Sequence, residues 1–242
     1  MTDQRRIPLW AVALAAAVVL TGVIGLILLL GNDDQPDAQP TEPTASQTPD
    51  ATEPTAPDET TTPTVSGEEW TSVDVAGITL PVSEQAGPHD LSDGRAQDFE
   101  QTELGAVMAA VHLVPRLSGF ATPAVFEPTI EEQVVAGENA QRLLTAAQTE
   151  YAAAVDAQGR DDPRAAGTVR GYRVLSYSDA AATVELWTEA QGPDGTVRIA
   201  SEVDLIWDGQ WKVQAPPDGD WATVAGELPD TTSFTEFPEG VR

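Results

Sequence analysis

From Ile7 to Gly31 the chain carries no charge and is almost wholly apolar, with Arg5 and Arg6 before it and Asn32, Asp33 and Asp34 after it. At about 1.5 Å of rise per residue, roughly 24 residues span about 36 Å, enough to cross a hydrocarbon core of about 30 Å with some tilt. A cleaved secretory signal is the competing reading, but its apolar part is usually about 7 to 15 residues and ends in a small-x-small site. Here the run ends in Leu28, Leu29, Leu30 and Gly31, followed by acids, which favours a retained anchor. The basic pair belongs on the cytoplasmic side. Residues 1–6 are therefore expected to form a cytoplasmic stub, residues 7–31 a transmembrane helix in contact with membrane lipid, and everything beyond an extracytoplasmic part.

Composition changes sharply over residues 32–66, where Pro recurs among Thr, Asp and Glu and Val65 is the only large aliphatic side chain. Such a stretch cannot bury enough apolar area to offset its ordering entropy, so a disordered linker is predicted. A flexible chain of that length spans about 30 to 35 Å, with a polyproline-like limit near 110 Å. Setting aside Asp3, Arg5 and Arg6, 38 acidic side chains face 10 basic ones. Phosphate contacts draw their affinity from Lys and Arg, so direct nucleic acid binding is not expected. The chain has no Cys, which removes thiolate chemistry and any disulfide framework. Whatever folds outside must be held by its core.

Residues 67–101 read as an extended arm. Trp70 to Val82 alternates loosely, and Pro81 argues against an interior strand. From Thr102, a candidate cap, the period becomes helical through Leu104, Val107, Met108, Val111 and Val114, with Pro115 as the stop. Thr129 with Glu132 has the capping-box form and predicts a short helix ended by Gly137. A long amphipathic helix is predicted over 138–158. Four β segments follow, 168–177, 181–189, 196–206 and 210–214, an antiparallel meander broken by the turn at Gly192 to Gly195. In the last hairpin a three-residue loop of Trp207, Asp208 and Gly209, with Gly209 left-handed, pairs Leu205 with Trp211 and Val203 with Val213. Residues 102–217 are thus predicted to form an α+β domain, a cone of about three helices packed on a curved four-stranded antiparallel sheet. Residues 218–242 form an acidic C-terminal tail.

The long helix ending near Gln158, the strand from Tyr172 to Tyr177 and the closing run Trp207 to Val213 together resemble the nuclear-transport-factor-two-like, or ketosteroid-isomerase-like, cone. With one anchor and one linker, the chain resembles the VirB-type and TcpC-type scaffold subunits of type IV secretion. It also resembles membrane proteins of actinobacterial conjugative elements, through Gly77 to Ser83, Gly87-Pro88 and Leu104 to His112. The resemblance implies a non-enzymatic membrane scaffold of a conjugative DNA-transfer apparatus, self-associating and contacting other membrane subunits. It carries over no catalytic residue and no cofactor.

Candidate chemistry is sparse. His112 falls on the apolar stripe of its helix, where a core histidine bonded to backbone outweighs a catalytic base, and His89 sits in a Gly-Pro turn. Two distant histidines without Cys do not make a transition-metal site, and neither Asp161-Asp162 nor Asp218 with Asp220 forms a recognisable Ca²⁺ loop. Aromatic residues are the better lead for protein contacts. Trp187 falls on the polar side of its strand, and Trp221, Phe234 and Phe237 lie in the tail. Either the tail folds back over Trp187, or Trp187 marks a contact for another protein. A membrane-anchored binding or sensing module for a small cell-envelope ligand, held between sheet and helix, is the alternative to the scaffold.

Overall fold

The computed structural model describes residues 69–192 and 195–241. The cytoplasmic stub, the transmembrane helix and the linker expected from sequence lie outside these residues. Among the described residues no helix is long and apolar enough to cross a membrane.

The expected arm is a β-hairpin. Strands β1 (Trp70–Val75) and β2 (Ile78–Ser83) pair antiparallel across a two-residue turn, with Ala76 and Gly77 both at positive φ. Pro81 is accommodated because this is a separate two-stranded sheet. The hairpin's Leu80 is fully buried against the main core.

Helix α1 (Glu103–Arg116) starts at Thr102, whose hydroxyl accepts from Gly105 N at 3.0 Å. Instead of one apolar stripe, it is buried almost all round, from Gly105 to Leu113 without a break and again at Pro115 and Arg116. Pro115 does not stop it, since a proline in the last turn costs only one ladder bond; Leu117 N still donates to Leu113 O at 2.9 Å. Helix α2 (Pro123–Gln133) corrects the capping-box reading. Pro123 at its first position sets the start, and the Thr129 hydroxyl donates back to Val125 O at 2.7 Å instead of capping. Helix α3 (Glu138–Gln158) matches the predicted range, and left-handed Gly159 closes it.

The four-stranded sheet is the main correction. The meander exists, as β3 (Thr168–Ser178), β4 (Ala181–Gly192), β5 (Gly195–Trp207) and β6 (Trp211–Val213). The tail adds β7 (Ala225–Glu227) and β8 (Thr235–Glu236), giving six strands in the order β6–β5–β4–β3–β8, with β7 also on β5. Strand β5 is long enough to carry two short partners on one edge, β6 at Leu205 to Trp207 and β7 at Ile199 to Ser201. The tail leaves one edge of the sheet and returns to the other, which residue pattern alone does not reveal, because strands of two or three residues show no period.

The last hairpin keeps the predicted face but not the predicted pairs. Leu205 pairs with Val213 and Trp207 with Trp211, around a loop of Asp208, Gly209 and Gln210. The two indoles meet edge to face at 5.3 Å, a contact that the other register lacks. Gly209 is left-handed, and Trp211, with no exposure, donates its indole N–H to Glu100 O at 2.9 Å.

On the sheet's outer face Trp187 lies between Gly171 and Ala200, small neighbours that leave room for an indole. The tail closes over it: Phe234 meets Trp187 at 6.2 Å, and the Arg173 guanidinium stacks 4.9 Å from the Phe234 ring while donating to Ser233 Oγ. Gly171 lets the tail in, since a Cβ there would stand 2.5 Å from Thr235 O. Gly171→Val is therefore expected to lift residues 233–237 off β3, cost about 1 to 3 kcal/mol of stability, and wet Trp187. A lower Tm with a red-shifted tryptophan emission checks this; an unchanged emission spectrum contradicts it.

Candidate functional site

Of the four aromatic candidates, three are consumed internally. Trp187, Phe234 and Phe237 are buried, Phe237 between Trp70 at 6.0 Å and Tyr172 at 5.2 Å. Trp221 differs. It is half-buried in the 3₁₀ turn Trp221–Val224, where Asp220 Oδ1 accepts from Ala222 N at 2.9 Å.

Trp221 stands between two spaces. Inward lies a cavity of about 80 Å³ under the sheet, lined by Ile78, Val114, Leu186, Thr188 and Ser201. Outward lies a groove of about 760 Å³ between α3 and the tail. Both spaces also share Ser118. The Trp221 indole nitrogen is buried and has no hydrogen-bond partner among the described residues, a state that costs about 1 to 3 kcal/mol unless something accepts from it.

The groove's shape follows from two close approaches. The 3₁₀ turn Pro217–Gly219 lies on α3 so tightly that a Cβ on Gly219 would stand 2.3 Å from Leu143 N. Arg142 ties that turn down by pairing with Asp218 and, at 2.6 Å, with Glu138. At the other end the loop between α1 and α2 presses on α3, and Gly119 N donates to Glu150 Oε2 at 2.7 Å. Apolar floor residues Leu143, Ala146 and Ala147 alternate with Thr145 and Thr149 along the helix.

Glu150 is the groove's unusual acid. Burial pushes its carboxyl from the ordinary 4.5 up to about 7, against the Gly119 N–H bond that pulls it down. An amphipathic pattern marks such a Glu as surface, so sequence reasoning passed over it; only the loop packed against it raises its pKa.

His112 is in the core, as a backbone-bonded histidine. Its Nε2 lies 2.7 Å from Pro81 O, which can only accept, so Nε2 carries the proton. Burial, then the Arg116 charge, lowers its pKa to about 3, and the ring stays neutral. His89 is on the surface, 3.7 Å from Glu100. Asp162 is paired with Arg160 and Asp218 with Arg142. Among the described residues no group of three His, Cys, Asp or Glu side chains could hold a metal ion.

The family described as Domain of unknown function (DUF8175) matches residues 32–236, and the chain belongs to it. No curated protein and no solved structure matches the chain.

Glu150 gives a pH dependence with a definite sign. Its folded pKa is raised, so the folded state holds the proton more tightly than the unfolded chain does. That contribution is full below about 4.5 and is lost as pH rises through about 7. Glu150→Gln keeps an acceptor for Gly119 N and should flatten this segment of the stability profile. Urea midpoints at pH 5 and pH 8 for both proteins check it: equal pH dependence in the two contradicts the assignment.

Proposed function

We propose that this member of the DUF8175 family is a membrane-tethered, non-enzymatic binding module, whose domain outside the cell takes a small envelope ligand in the α3 groove. The observation that carries the reading is Trp221, an indole N–H without a partner at the wall shared by groove and inner cavity. The groove's floor is apolar and its charged groups are mostly acids, with Arg142 already engaged by Glu138 and Asp218. That lining suits an uncharged or cationic ligand with an apolar face. Glu150, neutral below about pH 7, would offer a hydrogen-bond donor in acid and an anion above it. In this reading the tether is the apolar run 7–31, expected from sequence to cross the membrane, with the acidic Pro-rich stretch 32–66 between it and the domain.

A second reading, an assembly subunit of a conjugative DNA-transfer apparatus, is favoured by the anchor-and-linker plan and by the resemblance through Gly77 to Ser83 and Leu104 to His112. Under it the domain contacts copies of itself and other membrane subunits, and no DNA.

Titration calorimetry of the full chain in detergent with a soluble cell-wall digest separates the two. Binding is expected in the wild type and at least a tenfold loss in Ala146→Arg, which fills the groove from an exposed helix position. No heat from any fraction, or unchanged binding by Ala146→Arg, contradicts the binding-module reading. Deleting the gene in a donor cell tests the other: transfer should fall at least tenfold and return on complementation, and unchanged transfer rejects it.

A further inference from the structure

On another side of the domain, Arg116 ends α1 with its side chain 98% out of solvent, at 2% relative exposure. Its Nε donates to Gly94 O at 2.8 Å, and its Nη1 to His112 O at 2.9 Å and to His112 Nδ1 at 3.2 Å. The His112 tautomer makes the last contact a real bond, because Nε2 holds the ring proton toward Pro81 O and leaves Nδ1 as an acceptor. Every partner is neutral. No carboxylate among the described residues pairs with Arg116, and its Nη2 donates to none of them but keeps contact with solvent in the cleft rather than being sealed off. Buried charges are ordinarily paired, so an uncompensated guanidinium signals a missing anion.

A place for one is present. Arg116 lines a cleft of about 280 Å³ bounded by the β1–β2 hairpin, the turn at Leu91 and Gly94, and the start of α2. Its walls are apolar, among them Val73, Val75, Leu91, Phe120 and Val125. Thr122 lines it too, as the N-cap of α2, and its hydroxyl caps no backbone N–H and is left for a ligand, while Val125 N and Phe126 N donate to Thr122 O and Pro123 has no N–H. At the rim the two acids are already matched, Asp74 by Arg164 at 3.3 Å and Asp162 by Arg160 at 2.6 Å.

We propose that this cleft binds a small organic carboxylate, with the carboxylate on the free Nη2 edge of Arg116 and Thr122, and the carbon stem along Val73, Leu91 and Phe120. One buried positive charge matches a monoanion. A phosphate dianion would bring a second charge, and the cleft's other guanidinium, Arg164, is already paired with Asp74, inside a domain whose acids repel a dianion. The apolar walls require a stem, which inorganic anions lack. This site is independent of the α3 groove.

Titration of the full chain in detergent with hexanoate, with 1-hexanol as the uncharged counterpart and with inorganic phosphate, tests the proposal. Hexanoate is expected to bind at least tenfold more tightly than either. Leu91→Asp places a like charge at an exposed position on the cleft wall and should weaken hexanoate at least tenfold. Arg116→Met should abolish binding; where that variant fails to fold, Leu91→Asp carries the test. Equal binding of hexanol, tighter binding of phosphate, unaltered binding by Leu91→Asp, or no binding to the folded full chain overturns the assignment.

Discussion

The main sheet, the hairpin and α2 all close on α1. The main sheet lies along one side, the hairpin crosses another, and α2 covers a third, so the helix has almost no solvent face. Gly105, Ala106, Ala109 and Ala110 make this possible by keeping its girth small. A Cβ on Gly105 would stand 1.9 Å from Glu100 O, so even the segment entering the helix runs against it. The side chains that do have bulk, Met108, Val111 and Leu113, are wholly buried. Each contributes on the order of 1.5 to 3 kcal/mol by leaving water. Polar groups inside so dry a layer must be bonded, and His112 and Arg116 meet that demand through Pro81 O, Gly94 O and each other.

Around that centre the tail works as a strap. It leaves β6, presses Gly219 on α3, pairs with β5 as β7, and ends on β3 as β8. Its aromatic residues alternate across the β3 edge, with Phe234 on Trp187 outside and Phe237 in the core beside Trp70. An acidic tail binds an acidic domain because these contacts are apolar and local. Where charge is used it is cationic and specific, as when Arg173 pairs with Glu185 and stacks on Phe234.

The titratable groups that matter chemically owe their state to packing. Glu150 approaches neutrality because a loop covers it, and His112 stays neutral because burial and a neighbouring guanidinium both oppose its proton. Trp221 presents the complementary situation, a sheltered indole N–H with no partner among the described residues, while Arg116 has neutral partners on Nε and Nη1 and no carboxylate beside it. These two positions lie on different sides of the core, each beside an open space, the α3 groove and the cleft at the hairpin.

The strongly periodic elements were legible in the residues alone: the Thr102 cap, the 138–158 helix, and the meander with its inner face of Ala182, Val184 and Leu186. They are legible because their signals are local, repeated over several turns or pleats. The hairpin register slipped because both pairings place Val203, Leu205, Trp211 and Val213 on one face, and only the indole contact separates them. The tail strands, the all-round burial of α1, the charge state of Glu150 and the burial of Arg116 without a carboxylate partner were decided in three dimensions. Each depends on which distant segment arrives beside it, and a one-dimensional pattern carries no record of that. By itself the sequence determined an uncharged apolar run, an acidic Pro-rich stretch and the order of the main helices and strands. Tertiary structure decided which polar groups were left facing empty space, because burial is a property of neighbours and not of residues.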